Sequence, residues 1–153
     1  MLNKKYKKIA VGGTFDKFHR GHEKLLGTAF ELGDEVLIGV SSDVFASSKS
    51  HEIEPLDKRV CKIISFLEQF DNTYEIKEIF DSCGTADVDS DLDAIVVSEE
   101  TEKSAEYINS LRYERNLELL DIIVIEWIMA DDGTPISSTR IRKGEINKKG
   151  KLL

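Results

Sequence analysis

Cysteine is scarce: Cys61 and Cys83 are the only two in 153 residues. They are too few for a disulfide framework and too isolated for a metal-ligand cluster. Cys61 falls within a helical pattern and Cys83 beside a glycine turn, so both read as reduced thiols. Long apolar runs are also missing, and no stretch nears the roughly 20 residues that span a bilayer. The basic start at 1–8 leads into an apolar run that breaks at Gly12, which is too short for a signal peptide. Positive charge is in deficit, with 21 Lys and Arg against 29 Asp and Glu and a net charge of −8. That deficit argues against a dedicated nucleic-acid binder. It leaves room for an anionic small-molecule substrate, because local donors rather than net charge make such a site. Repeats and low-complexity linkers are absent too. The chain therefore reads as a single cytoplasmic domain over 1–153, long enough for a core without staples.

What is present is organised around Val11-Gly12-Gly13-Thr14-Phe15-Asp16-Lys17-Phe18-His19-Arg20-Gly21-His22. The apolar run at 6–11 reads as a buried strand. Leu25, Leu26, Ala29, Phe30 and Leu32 suit one face of a helix. The stretch is then a strand-to-helix turn at the carboxyl end of a first strand. Open α/β sheets bind ligands there, and a helix N-terminus favours anions. Gly12 and Gly13 let backbone amides approach a ligand, since no Cβ blocks them. Thr14 adds a hydroxyl. His19 and His22 lie three apart around Gly21, so both can point to one spot. Two imidazoles and exposed amides suit an oxyanion, a phosphate above all. Neither common phosphate fingerprint occurs: there is no GxxxxGK[ST] and no GxGxxG. A plain glycine turn with two surface histidines is one other reading. A zinc site from Asp16, His19 and His22 is another, against which stand the missing HExxH spacing and the lack of a nearby cysteine.

Further along, 35–41 reads as a second buried strand, with Gly33-Asp34 as the turn before it. Residues 42–54 read as a loop. Pro55 fits a first helical turn, and Leu56, Val60, Ile63, Ile64, Leu67 and Phe70 form a helical stripe. Residues 74–80 are a weaker third strand. The acidic stretch 81–93 contains no Lys or Arg and reads as a solvated loop, because its glycine and glutamate miss EF-hand spacing. Residues 94–98 form a short buried strand, 101–117 a helix and 120–129 the last strand, with Trp127 as packing. Short buried strands in this order predict an α/β fold. The expectation is a single Rossmann-like domain, an open parallel sheet of about five strands with helices on both faces.

A second motif, Pro135-Ile136-Ser137-Ser138-Thr139-Arg140-Ile141-Arg142, follows the Asp131-Asp132-Gly133 loop. Ser137 or Ser138 is a natural N-cap for a helix running toward Gly144. The same hydroxyls and free amides could equally bind phosphate, with Arg140 and Arg142 nearby.

The pattern GGTFDxxHxGH resembles the first signature of the HxGH nucleotidyltransferase superfamily, and Ile-Ser-Ser-Thr-x-x-Arg resembles its second. Ser41-Ser42-Asp43, Lys49, Pro55, Arg59, the Val97-Ser98-Glu99-Glu100-Thr101 stretch and residues 112–117 extend the likeness to nearly the whole chain. They resemble the archaeal and eukaryotic branch of phosphopantetheine adenylyltransferase. Glycerol-3-phosphate cytidylyltransferases and FAD synthetases share the first turn. The Asp131-Asp132-Gly133-Thr134-Pro135 lead differs from the Arg-Thr-x-Gly lead of the former. A non-catalytic ATP- or coenzyme-A-binding module is the remaining alternative, and the intact Thr14, His19 and His22 argue against it.

The resemblance implies transfer of the adenylyl group of ATP to 4′-phosphopantetheine, giving dephospho-coenzyme A and pyrophosphate. It implies His22, His19, Thr14 and Lys49 as catalytic residues. The ATP contacts it implies are Gly13, Thr14, Phe15, His19, Gly21, His22, Ser98, Glu99, Ser137, Ser138, Thr139 and Arg142. Thr14, Lys49 and Arg59 would meet the phosphopantetheine. No protein-held metal is expected, and Mg²⁺ would come with ATP. ATP and 4′-phosphopantetheine are the expected partners, without nucleic acid or membrane; a monomer is the default, although nothing in the sequence sets oligomeric state. Plainer readings stay open for Lys49 as a solvated loop lysine and for Arg59 as a partner of a surface carboxylate. Arg112 and Arg115 read as a solvated helix face and His51 as a surface residue.

Overall fold

Side-chain alternation along the strands divides the core into two layers. Ile9 and Val11 face one side of the first strand and Ala10 the other; Val36, Ile38 and Val40 oppose Leu37 on the second; Ala94 and Val96 oppose Ile95 and Val97 on the fourth. Sheets buried on both faces show such apolar runs, because each face needs a helical cover. The computed structural model describes residues 5–46, 53–126 and 128–153. In chain order the elements are β1 (Tyr6–Gly13), α1 (Arg20–Leu32), β2 (Gly33–Ser41), α2 (Asp43–Ala46), α3 (Leu56–Leu67), β3 (Thr73–Ile79), β4 (Ala94–Ser98), α4 (Glu102–Glu114), β5 (Asp121–Ile125) and α5 (Ser138–Arg142).

The five strands form one sheet in the order β3-β2-β1-β4-β5, and each pairing is parallel. From β1 the chain first builds toward β3, then returns to build β4 and β5 on the other side. The direction of winding therefore reverses between β1 and β4, and the carboxyl ends of those two strands flank a crevice. Leu25, Leu26, Ala29 and Phe30 of α1, with Ile63 and Leu67 of α3, cover one face. Ala105 and Ile108 of α4 cover the other. A smaller cluster of Ala130, Ile136 and Ile146 packs the segment after β5. The expected α/β sheet of about five parallel strands with helices on both faces is the observed one. Among the described residues, no helix is long and apolar enough to cross a membrane.

Several local expectations are corrected. Gly33 and Asp34 are no turn: α1 passes directly into β2, and Gly33 is both the helix cap and the first strand residue. A Cβ on Gly33 would stand 2.3 Å from Ile9 Cγ2, so only glycine permits this close approach. The Asn72 side-chain amide donates to the Phe30 and Gly33 carbonyls at 2.8 and 2.7 Å, doing the work of a turn. Within the expected loop at 42–54, residues 43–46 form the short helix α2, started by Ser42 Oγ accepting from the Phe45 amide at 3.0 Å. Lys49 and His51 lie outside the described residues, as does Trp127. The last strand stops at Ile125 rather than 129. Helix α4 ends before 117, where Asn116 takes a left-handed conformation (φ 59°) that asparagine tolerates at helix ends.

Arg112 is a larger correction. It is 1% exposed, not on a solvated face. Its guanidinium donates to the carbonyls of Ala86, Asp89 and Glu118 at 2.7–2.8 Å. Arg115 is exposed as expected and pairs with Asp87 at 2.7 Å. With Lys8 bonded to Asp89 at 2.7 Å, the acidic 81–93 segment is held to the body by cations that lie far away in sequence.

Candidate active site

Helix α1 starts with an unusual cap. Nδ1 of His19, the N-cap residue, accepts from the Gly21 amide at 3.0 Å. Nδ1 of His22 accepts in return from the His19 amide at 3.1 Å. The HxGH spacing is thus a capping box built from imidazoles instead of Ser and Glu. The rings stack with centroids 3.8 Å apart. Gly21 makes room for this, since a Cβ there would stand 2.9 Å from His19 Cε1.

This cap determines the tautomers. A nitrogen that accepts an N–H carries no proton, so in each neutral ring the proton sits on Nε2. Burial lowers the His19 pKa from 6.5 to about 4. His22 lies well below its ordinary value, through burial first and repulsion from His19 second. At neutral pH the site therefore holds a pair of uncharged imidazoles, each with an Nε2–H to donate.

The linkage has a definite sign. Between pH 6.5 and about 4 the unfolded chain binds a proton that folded His19 refuses, so stability falls as pH falls through that window. Above pH 6.5 the contribution is complete. From pH 7 to pH 5 the His19 share amounts to about 2 kcal/mol. His19→Asn keeps a good capping oxygen and removes the titration. Its urea-unfolding free energy should drop less between pH 7 and pH 5 than that of the wild type; an equal drop would clear His19 of the effect.

The turn between β1 and α1 is held from behind. Phe15 and Lys17 adopt left-handed conformations, with φ of 56° and 53°. Residues with a Cβ seldom do so unless their surroundings compel it. Phe15 is buried, and its ring packs against His22 at 5.3 Å between centroids. Phe18 stacks on the same imidazole at 5.5 Å. The Lys17 amide donates to Glu54 Oε1 at 2.8 Å. Burial alone would push the Glu54 carboxyl up, but Lys62 and the Lys17 amide outweigh it and hold the pKa at about 2. Thr14 keeps a loosely placed hydroxyl, 3.4 Å from Ser41 Oγ.

Arg59, expected either against the substrate or paired with a surface carboxylate, lies behind the site and pairs with the exposed Asp43. It is fully buried. Nε donates to the Glu54 carbonyl at 2.7 Å, and Nη1 to the carbonyls of Thr14 at 2.9 Å and Ser41 at 2.7 Å. Nη2 reaches Asp43 Oδ1 at 2.7 Å. One guanidinium thus ties the carboxyl ends of β1 and β2 to α2 and the start of α3.

Asp16, which the sequence reading entertained only as a zinc ligand, connects the two motifs. Its carboxylate accepts from the Glu54 amide at 2.9 Å and forms an ion pair with Arg142. Its carbonyl accepts from Ser138 Oγ at 2.5 Å. The second motif, more than a hundred residues downstream, is thereby brought against the first turn. Ser137 is the N-cap of α5, accepting from the Arg140 amide at 3.2 Å, and the Thr139 hydroxyl is exposed beside Arg142. Arg140 is occupied within its own loop by Asp132 and Glu145. Ser98 and the exposed Glu99 stand at the carboxyl end of β4, on the same sheet edge, with the Ser98 amide bonded to Thr101 Oγ1 at 3.2 Å. Among the described residues, no three His, Cys, Asp or Glu side chains stand where they could hold a metal ion.

Beside this turn, at the carboxyl ends of β1, β2 and β3, lies a cavity of about 230 Å³. Gly12, Gly39 and Ile79 line it on the sheet, and Phe80, Cys83 and Ile108 enclose it from the α4 face. A polar turn with imidazole, hydroxyl and amide donors and an apolar slot thus share one edge of the sheet.

Comparison with known proteins gives a consistent result. Residues 10–144 match the family described as Cytidylyltransferase-like. The chain is 47% identical over 152 residues to the phosphopantetheine adenylyltransferase of Methanothermobacter thermautotrophicus, covering 99% of this chain and 93% of that protein. It is 46% identical to the phosphopantetheine adenylyltransferase of Pyrococcus furiosus, covering 97% of this chain and 95% of that one. Among solved structures, a protein of unknown function from Archaeoglobus fulgidus superposes with a TM-score of 0.72 at 32% identity, over 77% of this chain and 88% of that chain. The imidazole-capped turn, the motif docked on Asp16 and these full-length matches agree: the chain belongs to the cytidylyltransferase-like family and, within it, to the phosphopantetheine adenylyltransferases.

Proposed function

We infer that the protein transfers the adenylyl group of ATP to 4′-phosphopantetheine, giving dephospho-coenzyme A and pyrophosphate. The observation that carries the reading is the stacked, neutral His19–His22 pair, with its Nε2–H groups free to donate at the β1–β4 switch point. The near full-length likeness to the archaeal enzymes supports the choice of acceptor.

The chemistry needs no general base. A phosphate monoester has its second pKa near 6 and is mostly dianionic at neutral pH. One of its oxygens attacks the α-phosphorus of ATP, the bond to the bridging β-oxygen breaks, and pyrophosphate leaves with that electron pair. The protein's task is alignment and donation to the charge that spreads over the α-phosphate and the leaving group. His22 and His19 donate from Nε2, and Thr14 from its hydroxyl between the two substrates. The amides of Gly13, Thr14 and Phe15 form the floor of the turn, and Gly21 leaves space for the rings. Ser98 and Glu99 border the nucleotide at the end of β4. Ser137, Ser138 and Thr139 offer hydroxyls, and Arg142 shares its charge between Asp16 and the phosphates. Lys49 holds the acceptor phosphate, while Arg59 positions the turn from behind. The methyl and methylene groups of the pantetheine arm suit the apolar slot over Gly12 and Gly39. The donors here are N–H and O–H groups, which suit phosphate oxygens rather than a cation, so the Mg²⁺ expected with ATP is carried by the nucleotide itself. With reduced thiols and small water-soluble substrates, the cytoplasm is the expected compartment.

The test is pyrophosphate release, crossing ATP and CTP with 4′-phosphopantetheine, glycerol 3-phosphate and FMN. Release with ATP and 4′-phosphopantetheine alone is expected. Release with another pair would reassign the acceptor. ATP binding without release from any pair would leave a binding module.

A further inference from the structure

A second, open cleft of about 560 Å³ borders His19 on the α1–α3 side. His19, Phe18 and Glu23 form one wall, Lys62 another, and Lys148 and Lys149 of the C-terminal segment a third. The lysines come from segments far apart in sequence, so their convergence is a product of the fold. The C-terminal segment is fastened in place. Ile146 is fully buried, the Lys148 carbonyl accepts from the Arg20 amide at 3.3 Å, and Asn147 Oδ1 accepts from the amides of Lys149 and Lys151 at 2.9 Å. Lys148 is thus held over the first turn of α1.

Three lysines, Lys62, Lys148 and Lys149, line this cleft against one carboxylate, Glu23. Glu54 faces Lys62 at 3.0 Å, but the same carboxylate also takes Lys58 at 3.5 Å and the Lys17 amide. Lys148 and Lys62 line the same cleft, so two like charges share it. Lys62, with some burial, lowers the Lys148 pKa, whereas Glu54 helps to raise that of Lys62. Adjacent like charges cost free energy that a bound polyanion would offset. Two ammonium groups beside an Nε2–H donor match a diphosphate, with each phosphate offered a charged donor.

We propose that Lys148, with Lys62, receives the terminal phosphates of the nucleoside triphosphate and holds the pyrophosphate as it leaves. The choice of ligand rests on the adenylyl-transfer reading, but the anion site can be tested without it. Calorimetric titration of the full chain with inorganic pyrophosphate compares wild type with Lys148→Ala, Lys148→Arg and Lys7→Ala. Lys7 is an exposed lysine at the opposite end of β1 and reports bulk charge alone. Lys148→Ala should weaken pyrophosphate binding about tenfold or more, the scale of one charge-assisted hydrogen bond. Lys148→Arg should restore it, and Lys7→Ala should leave it unchanged. In turnover, Lys148→Ala should raise KM for ATP by a similar factor and leave KM for 4′-phosphopantetheine alone.

Equal pyrophosphate affinity in wild type and Lys148→Ala, no measurable binding by wild type, or an equal loss in Lys7→Ala would each overturn the site. A wild type without adenylyl transfer whose pyrophosphate binding still depends on Lys148 would refute the functional reading and uphold the anion site.

Discussion

His22→Ala lowers kcat by roughly a hundred- to a thousand-fold, the scale of losing one preorganised donor to a developing oxyanion. The protein still folds. His22 contributes one bond to the capping box, its Nδ1 accepting from the His19 amide, and such a cap is worth about 1 kcal/mol. The two roles sit on different atoms of one ring, so they can be separated. Gln is the usual residue at this position of a capping box. His22→Gln should therefore recover most of the lost stability and little of the lost turnover. KM for both substrates should change much less than kcat, because a donor used mainly in the transition state adds little to ground-state binding. Near wild-type turnover in His22→Ala would remove the residue from the chemistry.

Arg59→Met destabilises the fold by about 3–5 kcal/mol, a large share of the roughly 5–15 kcal/mol that holds a domain together. Methionine fills much of the volume but leaves the carbonyls of Thr14, Ser41 and Glu54 without this donor. Each buried carbonyl left unpaired costs about 1–3 kcal/mol, partly recovered by relaxation or water. Denaturant unfolding reads the loss directly. The left-handed turn at Phe15 to Lys17 should relax as well, so kcat falls together with stability. Arg59→Lys recovers only part of either, since one ammonium cannot span donors directed at four acceptors. A different result would restore the role the sequence suggested: unchanged stability with a raised KM for 4′-phosphopantetheine would make Arg59 a substrate contact after all.

These two residues also show where the sequence was legible. His19 and His22 could be picked out by spacing, because a turn and the first helical residues are close in the chain and their geometry is local. That Nδ1 of each ring would be spent on a backbone amide was implicit in the same three-residue spacing, although imidazoles seldom occupy those capping positions. Burial was not implicit. The neutrality of the pair comes from Phe15 and Phe18 packing on His22, and from the turn being pressed against α3. Arg59 and Arg112 illustrate the converse. Each is a charged residue on a helix, where pattern reading favours solvent. Each is buried because carbonyls from distant segments converge on it. An arginine with partners 18 to 45 residues away, as Arg59 has in Ser41 and Thr14, carries no local sign of them.

The sequence by itself determined the buried apolar strands, the helical stripes and the α/β architecture, which follow from periodicity over a few neighbouring residues. It also marked out the two motifs, through their resemblance to a known family. Only the tertiary structure decided that Asp16 joins the motifs through Arg142 and Ser138, that Arg59 supports the turn instead of lining it, and that Lys62 and Lys148 share a cleft beside His19. Those pairings join parts of the chain that only the packed fold brings together, and at close range desolvation and charge set what each group can do.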